Sequence, residues 1–288
     1  MGCKTHPITR KRKRFKMAKL NSDELQKYAD DGYIFPDFKL SEDLLTRLQL
    51  GIDSAIHRLG DQFKPEDIPN PHFLDFSSEG VNNPFLEVAS HPDILDLVEQ
   101  VIGPDIILWI ARVFCKPRLT GREVPWHQDG EYWPMRPLET CTVWIALDEV
   151  TTENGCMRFI PGSHQSGLYR HHMSDRKDLV LNLELDEDQF DESNAVNVEL
   201  QPGAISMHHV KIIHGSHANQ SPKRRAALVL RYMPASSHYD RSLVNHDRFK
   251  SPFNLKEQPL ILMRGRDVSG ENDLVSNHEY WKKRYSEA

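Results

Sequence analysis

The fold class is decided by the stretch Ile106-Ile-Leu-Trp-Ile-Ala-Arg-Val-Phe-Cys115, in which aliphatic and aromatic residues dominate and neither Gly nor Pro occurs. That composition favours a buried β-strand. Further short runs of the same kind follow it, separated by Pro, Gly, Asn and Ser: Cys141–Leu147, Met157–Ile160, Ala195–Leu200, Ala204–His209 and Ala226–Met233. Many short strands with turn residues between them are typical of an antiparallel sandwich or barrel.

Helices are predicted upstream of these strands. Their starts are indicated by N-capping serines or by a proline in the first turn, at Ser22, Ser41 and Pro92. The second helix has apolar residues at helical spacing from Leu44 to Leu59. Because helices come first and strands follow, we expect one α+β, mainly β domain over residues 20–288, in which N-terminal helices buttress a β-core. A short terminal helix is predicted around Tyr280–Tyr285.

The composition excludes several classes of protein. Of the 288 residues, 39% are hydrophobic and 27% are charged, which is typical of a folded globular protein and not of a disordered or fibrous one. The longest apolar run is Ile106–Ala111, far shorter than the about 20 residues of a transmembrane helix. We therefore expect no membrane span.

The charges are distributed unevenly. The chain has 36 basic and 42 acidic residues, yet residues 1–19 contain eight basic and no acidic side chains. We interpret residues 1–19 as a basic, disordered tail; the alternative is that Arg10–Arg14 forms a nuclear-import or nucleic-acid patch. The acidic remainder is unlike a nucleic-acid-binding domain, so no nucleic-acid partner is expected. Four cysteines without a CxxC pair, and no apolar signal segment near Met1, indicate a reducing, cytoplasmic location.

The pattern His-x-Asp is the first sign of chemistry. Alternate residues of a strand point to the same side, so one imidazole and one carboxylate can share a metal ion. A second histidine would complete the facial triad of non-haem Fe(II) enzymes. Copies begin at His91, His127 and His238, and a single copy is weak evidence in a chain with 15 histidines. The first copy reads better as a helix start and the third has no suitable partner, which leaves His127-Gln-Asp129.

The partner of this pattern is the segment His214-Gly-Ser-His-Ala-Asn-Gln-Ser-Pro-Lys-Arg-Arg225, which begins 87 residues beyond His127. His214 can return on a neighbouring strand of a closed β-core. Arg225 opens the next apolar run, and its guanidinium can bind the far carboxylate of a 2-oxo diacid. Each residue alone is more simply structural or solvated; their combination favours an oxygenase site.

Four separated motifs then occur in one order along the chain. They are Trp126-His-Gln-Asp-Gly-Glu-Tyr-Trp-Pro134, Thr142-Val-Trp-Ile-Ala-Leu-Asp148, Asn154-Gly-Cys-Met-Arg-Phe-Ile-Pro-Gly-Ser-His164, and His214-Gly-Ser with Arg225. From about Asp31 to Pro234 the chain resembles the phytanoyl-CoA dioxygenase family. The resemblance implies a double-stranded β-helix (jelly-roll, cupin-like) core and an oxygenase that uses Fe(II), 2-oxoglutarate and O2.

The resemblance also implies roles for individual residues. The metal ligands would be His127, Asp129 and His214. The cosubstrate candidates are Arg225 for the distal carboxylate of 2-oxoglutarate, with Ser216, Trp144, Arg112 and Gln128. The candidate walls of the substrate pocket are Tyr132, Trp133 and Arg136. The polar segment 165–194 is long for a connection between strands, which is typical of a lid or a mobile loop.

The predicted function is hydroxylation of an unactivated C–H bond of a small molecule, with release of succinate and CO2. Four basic residues favour an anionic substrate, although they also fit a solvated strand edge: Arg112, Lys116, Arg118 and Arg122. One alternative is a catalytically silent jelly-roll that binds metal or regulates. Another is a cupin-like Zn or Fe enzyme without a cosubstrate, which would have no need of a buried Arg225. Oligomeric state is not predicted.

Overall fold

The computed structural model describes residues 18–77, 80–244 and 254–286. The predicted tail 1–19 lies outside these residues except for Ala18 and Lys19. The helices are α1 (Ser22–Asp31), α2 (Glu42–Leu59), α3 (Pro84–Ala89), α4 (Pro92–Ile102) and α5 (His278–Ser286).

Two of the three predicted helix starts are confirmed. Ser41 caps α2, and Pro92 occupies the first turn of α4. For α1 the prediction was wrong by one residue. Asn21 is the cap, because its side chain accepts from the backbone of residues 23 and 24 while Glu24 binds back to the Asn21 N–H. This reciprocal arrangement satisfies more free helix donors than a cap at Ser22 would.

The strands follow the predicted order, with several short ones added. They are β1 (Tyr33–Ile34), β2 (Ile68–Pro69), β3 (Ile106–Lys116), β4 (Val124–His127), β5 (Met135–Arg136), β6 (Cys141–Ala146), β7 (Met157–Phe159), β8 (His171–Met173), β9 (Leu183–Leu185), β10 (Val196–Val198), β11 (Ile205–His209), β12 (His214–Ser216), β13 (Arg225–Pro234), β14 (His238–Tyr239) and β15 (Ile261–Arg264).

Two antiparallel sheets make the β-core. The larger sheet has the order β1-β11-β6-β13-β3-β15, with β2 also paired to β3, and the smaller has the order β10-β7-β12-β4. From β3 to β13 the chain passes repeatedly between the two sheets. This is the predicted double-stranded β-helix, and the mainly β fold class is confirmed.

Side-chain alternation assigns each face of the larger sheet to a different neighbour. On β13, Ala226, Leu228 and Leu230 join the main apolar core together with residues of α2 and α4. The intervening Ala227 and Val229 join a second cluster with residues of the smaller sheet. The helices therefore cover the outer face of the larger sheet, and its inner face is left to line the space between the sheets.

The helix α2 provides a direct test of this buttress. Leu48 is fully buried in the main core, whereas Leu50 on the same helix is 64% exposed. We expect Leu48→Ala to lower the free energy of unfolding by about 2–5 kcal/mol, because it leaves a cavity under the sheet. Leu50→Ala should change it by less than about 0.5 kcal/mol. Urea unfolding of both variants checks this, and equal effects would contradict the proposed packing.

The segment 165–194, called here the excursion, leaves the core between β7 and β10. It contains the hairpin β8–β9, which the sequence analysis did not predict. Beside β4, Leu179 forms a bridge with Glu123, and the Val180 N–H donates to the Glu123 carbonyl over 2.8 Å. The excursion is thus attached to the edge of the smaller sheet; its opening as a lid stays a prediction.

Across the described ranges, we find no helix with both the length and the apolar character needed to span a bilayer.

Candidate metal centre and adjoining cavity

Three potential metal ligands converge between the two sheets. His127 ends β4 and His214 begins β12, and the two are direct partners in the pairing of these strands. Asp129 follows in the turn after β4. One ligand atom from each residue lies within 4.8 Å of the others, and all three side chains are buried. The imidazole rings are 4.1 Å apart between centroids.

Backbone carbonyls orient both imidazoles. The Nδ1 atom of His127 lies 2.8 Å from the Pro125 carbonyl oxygen, and that of His214 lies 3.1 Å from the Ile212 carbonyl oxygen. Because a carbonyl oxygen only accepts, each neutral ring carries its proton on Nδ1 and has a lone pair on Nε2. The two Nε2 atoms lie 3.8 and 4.0 Å from oxygens of Asp129.

The surroundings of the cluster favour the protonation states that bind a metal, an ionised Asp129 and a neutral His214. Burial opposes ionisation of Asp129, but Arg231 and the two histidines outweigh it and hold the pKa of this carboxyl well below its usual range. The Nη2 atom of Arg231 donates to both carboxylate oxygens, over 3.3 and 3.2 Å. Burial and then His127 lower the pKa of His214 to about 3. An ionised carboxylate and a neutral imidazole therefore coexist at neutral pH.

The donor set fits a non-haem iron. Two imidazole nitrogens and one carboxylate on a single side of an ion are typical of Fe(II) oxygenase sites, which leave the other positions open. The hydrogen bonds to the second ring nitrogen are the usual outer contacts of metal-binding histidines. All three residues line one cavity that extends between the sheets.

Arg225 lies at a second position in this cavity. It is 4% exposed, and its Nε and Nη2 atoms donate to the Gly155 carbonyl oxygen over 3.2 and 3.0 Å. Its guanidinium carbon lies 5.6 Å from the ring centre of Trp144. In the described part of the chain no acidic side chain pairs with it, and burial lowers its pKa to about 10. A buried cation in this state favours an incoming anion.

A glycine is required beside Arg225. Gly155 has φ +78°, and a Cβ there would lie 2.5 Å from the His217 carbonyl oxygen. A side chain at position 155 would therefore force the backbone of residue 155 to move, and with it the Gly155 carbonyl group that binds the Arg225 guanidinium.

The chain that carries the metal-binding cluster and the buried Arg225 matches a known protein family. The profile of the phytanoyl-CoA dioxygenase family matches residues 28–227. The chain belongs to this family. A probable phytanoyl-CoA dioxygenase of Caenorhabditis elegans is 29% identical over 180 residues, which cover 59% of this chain and 56% of that protein. An L-proline trans-4-hydroxylase of Streptomyces griseoviridis is 29% identical over 159 residues, 49% of this chain and 59% of the relative. The matches span between half and three fifths of these relatives.

Solved structures show the same fold. The non-heme monooxygenase ThoJ, in its apo form, has a TM-score of 0.69 at 22% identity, covering 92% of this chain and 99% of the other. EctD from S. alaskensis, solved with 2-oxoglutarate and 5-hydroxyectoine, has a TM-score of 0.66 at 22% identity, covering 89% of each chain. At this level of identity the likeness supports the jelly-roll alone.

Lys116 places a buried amine next to Arg225 in the same cavity. It is the pairing partner of Arg225 across β3 and β13, and it is 2% exposed. Its Nζ atom donates to the carbonyl oxygens of Ser216 and His217. Burial and then Arg225 lower its pKa to about 6, while Glu123 and Glu66 oppose the shift. Ser216 lines the cavity at the same place.

This lysine predicts a pH dependence of stability. Its pKa is 10.5 in the unfolded chain and about 6 in the fold, so between these values the unfolded chain holds one more proton. Stability should therefore rise with pH across this window by up to about 1.4 kcal/mol per unit. Lys116→Met should remove this slope, and its stability relative to wild type should be greatest near pH 6.

Urea unfolding across the window, without 2-oxoglutarate, measures the slope. The surface variant Lys64→Met is the control and should keep the slope of the wild type. A Lys116→Met variant whose slope also equals that of the wild type would refute the assignment.

The other predicted cosubstrate residues are divided between the cavity and its surroundings. Trp144 and Arg112 line the cavity, and Arg112 Nη1 lies 3.0 Å from an oxygen of Asp67. Gln128 does not line it. Its amide nitrogen donates to the carbonyl oxygens of Gly167 and Lys211, so it fastens the excursion to the core.

The predicted substrate residues are divided in the same way. Tyr132 lines the cavity. Trp133 lies behind it, with its ring centre 4.5 Å from that of Trp109 and 5.0 Å from the guanidinium carbon of Arg231. Arg136 is exposed and donates to the carbonyl oxygens of Trp133 and Met135. We therefore leave Gln128, Trp133 and Arg136 out of the proposed site.

Three further residues were given no role in the sequence-based prediction: Arg231, Thr142 and His208. All three line the cavity. A signal for Arg231 was present. It follows Arg225 by six residues within an otherwise apolar strand, so period-two alternation places both on the same face.

Proposed function

We propose that this chain is an Fe(II)- and 2-oxoglutarate-dependent dioxygenase that hydroxylates an unactivated C–H bond of a small molecule. The reaction consumes O2 and 2-oxoglutarate and forms the alcohol, succinate and CO2. One observation carries the proposal. The buried cluster of His127, Asp129 and His214 shares its cavity with Arg225, a buried guanidinium that no acidic side chain of the described residues neutralises.

Each residue has a defined part in this proposal. His127, Asp129 and His214 would hold Fe(II), which when bound supplies the activation of O2 that organic side chains cannot perform. Arg225 would bind the distal carboxylate of 2-oxoglutarate with two N–H groups, a geometry that suits a planar anion. Ser216 and Trp144 line the same end and would fix the cosubstrate's orientation. Arg231 keeps Asp129 ionised.

The walls of the cavity would exclude water from the reaction. Val180 and Leu181 of the excursion, Met157 of β7 and Val229 of β13 give the lining an apolar portion. Low polarity strengthens the charged contacts of Arg225 and Asp129. The names of the relatives are consistent with hydroxylation of small molecules, since one is a proline hydroxylase and another a probable α-ketoglutarate-dependent hypophosphite dioxygenase of Stutzerimonas stutzeri, 30% identical over 146 residues. As a ligand, Asp129 would occupy the coordination position that a halide ion needs in a halogenase. Its presence therefore favours hydroxylation over halogenation.

The test separates binding from turnover. Under anaerobic conditions, Fe(II) and 2-oxoglutarate should give a visible charge-transfer absorption that neither gives alone. A library of small molecules is then assayed in air for succinate formation, with mass detection of a product that has gained one oxygen atom. Absence of the absorption would contradict the cosubstrate assignment. Absorption without succinate formation, across the library and without substrate, would favour the silent jelly-roll.

A further inference from the structure

A row of three polar side chains crosses the inner face of the larger sheet. His208 on β11 is the pairing partner of Thr142 on β6, and Thr142 is the pairing partner of Arg231 on β13. Side chains of directly paired residues lie roughly 5 Å apart at Cβ and point to the same face. All three line the cavity and are buried, with exposures of 2%, 0% and 7%. We call them the polar row.

Each member of the polar row has a buried polar atom without a hydrogen-bond partner among the described residues. These atoms are His208 Nδ1, Thr142 Oγ1 and Arg231 Nε. Leaving a buried polar group unpaired costs about 1–3 kcal/mol. The neighbouring His127 and His214 have carbonyl partners for the corresponding ring atoms. The two metal-binding rings have hydrogen-bond partners, whereas three adjacent polar groups have none. This contrast indicates that a ligand supplies the missing partners.

The polar row lies beside the metal ligands and away from Arg225. Arg231 contacts Asp129, and the ring centres of His208 and His214 are 5.3 Å apart. Arg225 and Arg231 face the cavity from one strand, six residues apart, which corresponds to roughly 20 Å between their Cα atoms. A group bound at the polar row would therefore not occupy the anion position at Arg225.

The chemistry of the row selects an oxygen acceptor. Arg231 Nε can only donate, Thr142 can donate through its hydroxyl, and a neutral His208 has one N–H. The rings of Phe114 and Trp133 lie 5.8 and 5.0 Å from the guanidinium carbon of Arg231. These two rings contact the guanidinium group, and its N–H groups along the edge remain available for hydrogen bonds. A carboxylate satisfies a cationic donor and two neutral donors better than a hydroxyl or an amide does.

We propose that His208, Thr142 and Arg231 bind a carboxylate of the primary substrate, and so restrict the enzyme to small carboxylic acids that bind together with 2-oxoglutarate. This inference rests on the proposed function and names the substrate class for the same cavity.

The test measures ligand binding without turnover. Protein loaded with diamagnetic Zn(II) in place of iron, and saturated with 2-oxoglutarate, is titrated with short monocarboxylates and with primary amides of the same chain lengths. Saturation-transfer NMR reports binding. We expect the acids to bind in the presence of 2-oxoglutarate and the amides to bind more weakly.

Variants of one threonine test the row itself. Thr142→Val keeps the shape and removes the hydroxyl, so it should weaken acid binding about tenfold, as expected for one hydrogen bond to a charged group. Thr142→Ser should restore binding. The matched control is Thr140→Val, since the Thr140 hydroxyl is also buried and unpartnered among the described residues but does not line the cavity. The affinity for 2-oxoglutarate should stay unchanged in all three variants.

Several outcomes would overturn the proposal. Competition between the acids and 2-oxoglutarate would assign the acids to Arg225. Equal binding of acids and amides, or equal effects of Thr142→Val and Thr140→Val, would remove the polar row as a carboxylate site. Failure of 2-oxoglutarate itself to bind to the wild type is a separate result, which would contradict the proposed function and the substrate class with it.

Discussion

Replacing His127 with alanine should abolish 2-oxoglutarate-dependent succinate formation and the charge-transfer absorption. The substitution removes one of three protein ligands. The space of the His127 imidazole, beside Asp129 and His214, would then be filled by water. Changes in the outer contacts of metal ligands cost about 10–100-fold in metal affinity, so loss of a ligand should cost more. Metal affinity is measured by competition with a chelator of known strength, and activity by succinate formation.

The control for this variant is His172→Ala. His172 is 44% exposed in its side chain and pairs with Glu184 and Asp186 on the excursion. It should retain the metal affinity of the wild type. A His127→Ala protein that still bound Fe(II) as tightly as this control would remove His127 from the proposed ligand set.

The second large effect is expected at Arg225. Arg225→Ala should raise the dissociation constant of 2-oxoglutarate by about 100-fold or more, because losing one partner of a buried charge pair costs about 3–5 kcal/mol. Metal affinity should change little, since Arg225 does not contact a ligand residue. Arg225→Lys keeps the charge but loses the two-pronged contact, and should give an intermediate value. Titration of the charge-transfer absorption with 2-oxoglutarate provides the measurement.

The neighbouring arginine is a matched control for Arg225. Arg224 pairs with Asp148 and Asp53 at the surface of the fold. Arg224→Ala should leave the affinity for 2-oxoglutarate unchanged while it removes the same number of atoms. If Arg224→Ala weakened cosubstrate binding as much as Arg225→Ala, the assignment of the buried guanidinium would be wrong.

The order of strands could be predicted because long buried strands have a composition of their own. The apolar runs at Ile106–Cys115 and Ala226–Met233 became β3 and β13 with bounds shifted by at most one residue. The short strands β4 and β12 were not delimited. They contain four and three residues, including His127, His214 and Gly215. Strands this short are specified by their sheet neighbours rather than by local composition.

The residues of the candidate site, like the long strands, could largely be predicted from the sequence. His127, Asp129, His214 and Arg225 follow from spacing and family motifs, and the structure brings the first three together. The polar row was not accessible, because it depends on register. Thr142 is an ordinary β-branched residue in the sequence, and only its pairing with residues of β11 and β13 gives it polar neighbours.

The excursion contributes Val180 and Leu181 to the cavity, although it lies outside the two sheets that hold the metal ligands. Beside β4 it is attached through backbone groups of Glu123, Leu179 and Val180, and the Gln128 side chain of the core binds the backbone of Gly167 and Tyr169. Substitutions at its tip can therefore accumulate without cost to iron binding. In a gene duplicate, this wall is where we expect a new preference for substrate to evolve first, while the inherited chemistry continues unaltered.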